Sequence, residues 1–170
     1  MVTRLLALVL VALMPAPYAP AAAPNAPAGF EVTITGGPHA GTYKGTEVGC
    51  FLLAPSKGSP KEFEVASSRG SSRGDGPAID PNVLNAVRIH VYQAEKAGPV
   101  TDGFAHVIFG TENKPGSTMY EVRLKSPRDK GTGTITFAVS GQDANAGFDG
   151  RTGQGIRMHI AMHCTDLMAF

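Results

Sequence analysis

Hydrophobic residues recur at every second position in most of the chain. In the segment 155–164 (GIRMHIAMHC), apolar and polar side chains alternate except at Ala161. A period of two is typical of a half-buried β-strand. The same alternation predicts further strands at 30–35, 42–53, 62–67, 86–93, 119–125 and 134–140, and the segment 104–109, which is apolar on both faces except for His106, predicts a central strand. The pattern therefore predicts about eight strands.

Clusters of Gly, Pro, Asn and Asp separate these runs, at intervals of about 10–15 residues. Strands so spaced are typical of an all-β fold, here a single-domain antiparallel β-sandwich with a barrel as the alternative. Only the segment 80–97 is ambiguous, because Val83, Leu84, Val87 and Val91 also fit one face of a helix. We expect a short turn at 81–85 followed by a strand, and at most one short helix near 81–85.

The N-terminus has the layout of a secretory signal peptide. Arg4 precedes an apolar run at 5–14, and Ala- and Pro-rich sequence follows. A span of the bilayer needs roughly 20 apolar residues, so we expect no membrane insertion after cleavage. The sequence predicts a signal peptide at 1–23, a flexible leader at 24–29 and one β-sandwich domain at 30–170. The expected location is secreted or periplasmic.

Cys50 and Cys164 are the two cysteines of the chain. Each lies on the apolar side of its predicted strand, and the predicted export route is oxidising. A disulfide between them is therefore expected. It would close a loop of more than 100 residues, to which the chain-entropy model assigns roughly 4–5 kcal/mol.

Charge and composition exclude some classes of partner. The formal net charge is +1, with both signs spread along the chain, so no nucleic-acid partner is expected. The segment 67–77 (SSRGSSRGDGP) has no apolar residue, which predicts an exposed, mobile loop. The expected partner is an unidentified protein or small-molecule ligand.

Arg157, His159 and His163 fall between the apolar positions of the 155–164 strand. They predict an interaction surface on its outward face, one that gains positive charge as the pH falls through about 6.5. The alternative is an ordinary solvated sheet face. His159 and His163 stand about 13–14 Å apart along a strand, too far to share one metal ion.

Motifs for catalysis are missing from the sequence. It contains no GxSxG nucleophile elbow, HExxH motif, P-loop or EF-hand loop. Met158, Met162 and Met168 lie near Cys164 and are soft ligands of the kind that select copper(I), but core packing also explains them. We therefore expect a non-catalytic binding or structural module, without catalytic residues, metal or cofactor. The alternatives are a secreted enzyme with a site assembled from scattered loops, and a copper carrier.

Overall fold

The protein is an all-β structure, as predicted. A computed structural model describes residues 27–54, 60–68, 78–94, 99–126 and 131–170. Eleven strands and no helix occur in these residues. The strands are β1 Gly29–Thr35, β2 Gly41–Gly45, β3 Gly49–Leu53, β4 Glu62–Ser68, β5 Leu84–Val91, β6 Gly103–Phe109, β7 Thr118–Leu124, β8 Thr132–Ser140, β9 Asp143–Arg151, β10 Arg157–Cys164 and β11 Leu167–Ala169. The predicted signal peptide, residues 24–26 of the leader and residues 69–77 of the predicted loop lie outside the described residues.

Two sheets pack face to face, which confirms the sandwich and not the barrel. One sheet has five strands in the order β2-β1-β10-β9-β8, and the other has six in the order β11-β3-β4-β5-β6-β7. Strands β4 to β7 follow each other as an antiparallel meander. The other strand pairs are antiparallel as well, except that of β11 with β3, which is parallel.

The predicted strand at 42–53 is two strands in the structure. β2 pairs with β1 in the five-stranded sheet, whereas β3 pairs with β4 in the six-stranded sheet. The chain therefore passes from one sheet to the other at residues 46–48. This crossing brings Glu47 and Val48 to the margin of the six-stranded sheet.

The alternation does not predict strand β9, because its Asn, Asp and Gly residues are poor strand formers. It nevertheless lies between β8 and β10 and pairs with both. Ala144, Ala146 and Phe148 are buried at alternate positions, which is the period of a strand. At Gly150 a Cβ would collide with the carbonyl of Thr132 and the ring of Phe148, so this close approach requires glycine. Pairing on both sides outweighs the local preference for a turn.

The segment before β5 is a turn and not a helix. The Asp80 carboxylate accepts a hydrogen bond from the amide of Asn82 at 2.8 Å, and the Asp80 carbonyl accepts one from Val83 at 2.9 Å. An aspartate that bonds to the amide two residues on is typical of an Asx turn. The predicted turn is confirmed, although β5 begins earlier than predicted, at Leu84.

The core lies between the two sheets and is joined by the disulfide. Cys50 of β3 and Cys164 of β10 form the bridge across a sequence separation of 114 residues, which confirms the prediction. Both cysteines are buried, so the bridge ties one sheet to the other inside the core. The largest fully buried side chains around it are Phe63, Phe109, Phe148, Ile89, Ile135, Met158 and Ile160.

Candidate functional site

Polar and aromatic side chains cover the outer face of the six-stranded sheet. Successive residues of a strand point to opposite sides, so the neighbours of the core residues in β4 to β7 point away from the core. We call this surface the Glu–His face. On β4 to β7 it includes the charged, polar and aromatic residues Glu62, Glu64, Arg88, His90, Phe104, His106, Glu121 and Arg123.

His90 is held between two carboxylates. Its Nδ1 lies 3.0 Å from Oε2 of Glu64, the residue opposite it in β4, and its Nε2 lies 3.0 Å from Oε2 of Glu62. Ionised carboxylates only accept hydrogen bonds, so the form of His90 that satisfies both contacts is the imidazolium, which donates from both nitrogens. The hydrogen bond from His90, together with Arg88, holds the pKa of Glu64 below its usual value against the opposing effect of burial.

Glu121 is the second acidic centre of the face. Nδ1 of His106 lies 3.8 Å from Glu121 Oε2, and Arg123 donates to the same carboxylate from Nε at 2.6 Å and from Nη2 at 3.1 Å. The interaction with His106 and then that with Arg123 lower the pKa of Glu121 to about 2, although burial opposes the shift. This carboxylate is therefore ionised throughout the physiological range.

Aromatic rings pack against these charged groups. The ring of Phe104 stacks on His90 with centroids 5.2 Å apart and planes within 2°. The guanidinium carbon of Arg123 lies 5.2 Å from the centroid of Phe104, at the distance of a cation–π contact. The ring of Tyr92 packs against His90 at 4.6 Å. The imidazole is buried among aromatic rings, and the two carboxylates are partly exposed.

Beside these clusters the Glu–His face contains an open depression of about 580 Å³. Ile108 belongs to its lining and is 1% exposed, yet it lies outside the core between the sheets. The depression thus combines apolar and polar surface, as ligand sites do. Its lining is Glu47, Val48, Gly49, Phe51, Glu64, Ala66, Ser67, Asn85, Ala86, Arg88, His106, Ile108 and Glu112.

Three buried polar atoms of this lining have no hydrogen-bond partner among the described residues. They are Asn85 Oδ1, Arg88 Nε and His106 Nε2. The one other such atom in the described chain, Asn145 Oδ1, belongs to β9 of the opposite sheet. A buried polar atom without a partner costs about 1–3 kcal/mol, so three in one depression require an explanation.

The position of Asn85 results from an irregularity in β5. Leu84 pairs with Phe109 and Ala86 with Ile108, so the register shifts and Asn85 is the extra residue of a β-bulge. Bulges re-aim side chains and are enriched beside functional sites. The bulge therefore accounts for an amide side chain in the lining of the depression.

His39 provides a contrast with His106. It too is buried, at 7% exposure, but Nδ1 lies 2.9 Å from the Tyr120 hydroxyl and Nε2 lies 3.2 Å from the Pro81 carbonyl. A carbonyl only accepts, so Nε2 donates and Nδ1 accepts from the tyrosine. Its ring also stacks on Phe109 at 4.0 Å. His39 is a satisfied structural histidine, whereas His106 retains an unpartnered nitrogen.

The structure separates the three residues that the sequence singles out as an interaction surface. Arg157 and His159 are exposed on the outer face of the five-stranded sheet, and His159 Nδ1 lies 3.4 Å from Asp149 Oδ2. His163 is 7% exposed, and its Nδ1 lies 3.3 Å from the carbonyl of Pro27. The segment before β1 therefore covers His163, which does not share the open surface of the other two.

The soft ligands considered for copper have different surroundings in the structure. Cys164 is in the disulfide and offers no thiolate. Met158 and Met162 are buried in the core, whereas Met168 is 39% exposed on β11. In the described ranges, no group of three or more His, Cys, Asp or Glu residues is arranged to hold a metal ion.

Comparison with known proteins returns no relative. No protein-family model, curated protein or solved structure is significantly similar to this chain. In the part of the chain that the structure describes, no helix has the length and hydropathy to cross a membrane.

The sequence contains one signal of the Glu–His face that the strand pattern alone does not reveal. Pairs of polar residues two apart occur on three strands of the meander, as Glu62-x-Glu64, Arg88-x-His90 and Glu121-x-Arg123, and the strand between the last two has an aromatic and a polar residue at this spacing, Phe104-x-His106. In a meander such pairs share one face, where opposite charges meet across strands. Within a single strand, such a pair cannot be distinguished from an ordinary solvent-facing side of the strand.

Proposed function

We propose that this protein is a non-catalytic binding module that holds its ligand in the depression on the Glu–His face. The observation that carries the proposal is that three residues of one lining, Asn85, Arg88 and His106, each have a buried polar atom without a hydrogen-bond partner among the described residues. Such atoms are tolerated where a ligand or ordered water completes their hydrogen bonds. The packed charges around them preorganise the site, which lowers the ordering cost of binding.

Export is part of the same proposal. The disulfide between Cys50 and Cys164 is consistent with an oxidising, extracellular compartment. The apolar run at 5–14 supports a secretory signal peptide. We propose that the mature protein acts outside the cytoplasm, in the periplasm or beyond the cell.

The test fills the depression and leaves the rest of the protein intact. Ala86 belongs to its lining, and Ala86→Leu would occupy part of the space; Ala66→Leu is a second variant of the same kind. Ala161→Leu adds the same carbons to the exposed outer face of the five-stranded sheet and is the matched control. Thermal melting first establishes that all three variants fold.

A fragment library screened by saturation-transfer NMR then reports binding. We expect hits on the wild type that are lost in Ala86→Leu and Ala66→Leu and retained in Ala161→Leu. Hits that bind all three variants equally contradict the proposed site. Conversion of a bound compound to product in the same sample contradicts the non-catalytic part and favours the enzyme alternative.

A further inference from the structure

The depression carries an excess of negative charge. Three carboxylates, those of Glu47, Glu64 and Glu112, line it against one guanidinium, that of Arg88. With the His106 ring neutral, the lining has a net charge of −2. A concave surface lined mainly by one sign of charge concentrates ligands of the opposite sign.

The three carboxylates of the depression differ in whether a cation pairs with them. Nε of Arg88 lies 3.7 Å from Oε1 of Glu64, so Arg88 is directed at a carboxylate that already accepts from His90. Glu47 and Glu112 form no ion pair or hydrogen bond with any described residue. Among the described residues, therefore, no cation pairs with the negative charge of Glu47 and Glu112 at the margin of the depression.

The buried polar atoms of the lining include two acceptors. Nδ1 of His106 lies 3.8 Å from Oε2 of Glu121, a carboxylate that only accepts, which favours the tautomer with its proton on Nδ1 and Nε2 as an acceptor. His106 is 94% buried, and Nε2 has no partner among the described residues. Asn85 Oδ1 is a second buried acceptor without a hydrogen-bond partner among the described residues. Acceptors and carboxylates together favour a ligand rich in hydrogen-bond donors.

Apolar surface completes the depression. Ile108, Val48 and Phe51 belong to the lining, and Phe51 packs against Phe170 with ring centroids 6.4 Å apart. A ligand that is only a small hydrated cation would leave this surface unused. The lining therefore fits a cation that is attached to an apolar carbon framework.

We propose that the ligand group bound in the depression is a primary ammonium carried on an apolar framework. The inference rests on the proposed function and names the ligand class of that site. Two sources share this chemistry, a free organic amine and the lysine side chain of a polypeptide. Carboxylates at the margin receive the positive charge and the apolar lining receives the carbon framework, while the buried acceptors belong to residues of the same lining.

The test compares three probes of similar shape in titrations followed by amide NMR shifts: phenethylammonium, 2-phenylethanol and 3-phenylpropionate. We expect the ammonium to bind at least about tenfold more tightly than the other two, with shifts at the lining residues. The double variant Glu47→Gln/Glu112→Gln should weaken the ammonium about tenfold and leave the alcohol within about twofold. Glu31→Gln, on the outer face of the other sheet, is the control and should change neither.

A second pair of probes separates the two sources. If a lysine side chain is the natural group, N-acetyl-lysine methylamide should bind more tightly than N-acetyl-norleucine methylamide by a similar ratio. Preference for phenethylammonium alone assigns the site to a free amine.

The alcohol or the carboxylate binding at the lining as tightly as the ammonium overturns this inference and leaves the proposed function standing. If no probe shifts the amides of the lining, and the fragment hits bind Ala86→Leu as well as the wild type, both this inference and the proposed function are wrong.

Discussion

The two outer faces of the sandwich follow the same alternation but bury their polar groups to different degrees. On the five-stranded sheet, the ion pair of Glu31 and Lys44 at 2.8 Å has side chains 47% and 69% exposed. His159 on the same sheet is 48% exposed, whereas His90 and His106 of the Glu–His face are 9% and 7% exposed. Alternation thus predicts which side chains point away from the core. Contacts with residues on neighbouring strands determine which of these side chains are also buried from solvent.

This difference has energetic consequences. A polar group in water exchanges one set of hydrogen bonds for another at little net gain. A desolvated group must find partners inside the protein, as His90 does with two carboxylates. The Glu–His face is therefore the region where the loss of one polar group should reduce stability most, and where we propose that a ligand binds.

Loss of the disulfide should have the largest effect on stability, because this bridge joins the two sheets. Cys50→Ala/Cys164→Ala frees a loop whose ends lie 114 residues apart in sequence. We expect the free energy of unfolding to fall by about 4 kcal/mol, measured by urea denaturation. A loss below about 1 kcal/mol would mean that core packing, and not the bridge, holds the two sheets together.

The two faces should respond unequally to loss of a histidine. His90→Ala leaves the carboxylates of Glu62 and Glu64 partly buried without their donor and should cost about 2–3 kcal/mol. His159→Ala, the matched control on the exposed face, should stay within about 0.5 kcal/mol. Denaturation of both variants at pH 7 measures the two costs, and equal values contradict the contrast between the faces.

Acid should destabilise the Glu–His face through Glu121. Its pKa is about 2 in the folded protein and 4.5 at its ordinary value, so the unfolded state binds the proton more readily. The stability from this group is complete above about pH 4.5 and is lost as the pH falls towards 2. Glu121→Gln should lower stability by about 1 kcal/mol at pH 7 and flatten the decline between pH 4.5 and 2. If the free energy of unfolding of the variant depends on pH as that of the wild type does, Glu121 is not a cause of the loss of stability in acid.

The smallest effect is expected for the ion pair of the exposed face. A double-mutant cycle with Glu31→Gln and Lys44→Gln should give a coupling energy below about 0.5 kcal/mol, since both side chains are well solvated. The coupling should also disappear in about 1 M salt. A coupling above about 1 kcal/mol would show that this face is more structured than its exposure indicates.

The fold class could be predicted because alternation and turn residues are local signals. Strand β9 could not, because its Asn, Asp and Gly residues favour turns and only pairing with β8 and β10 makes a strand of them. Strand β11 is three residues long, too short for any period to be recognised. The crossing at 46–48 depends on which sheet each half of the predicted strand joins, which is a tertiary property.

The candidate site was less predictable than the fold. The alternation correctly placed Glu121 and Arg123 opposite the core, but it carries no information on which imidazole faces which carboxylate. The bulge at Asn85 interrupts the period that the prediction depends on. For His163 the outward position was inferred correctly from the alternation, yet the chain before β1 covers it. In each case the deciding neighbour is distant in sequence.

A map of amide chemical shifts tests the central claim most directly. The tightest hit of the fragment screen is titrated into uniformly ¹⁵N-labelled wild-type protein, and the shift of each amide is recorded. The account predicts that the largest shifts cluster on the lining of the depression, around Asn85, Arg88 and His106. Shifts that cluster instead around Arg157 and His159 would place the binding surface on the five-stranded sheet and contradict the account.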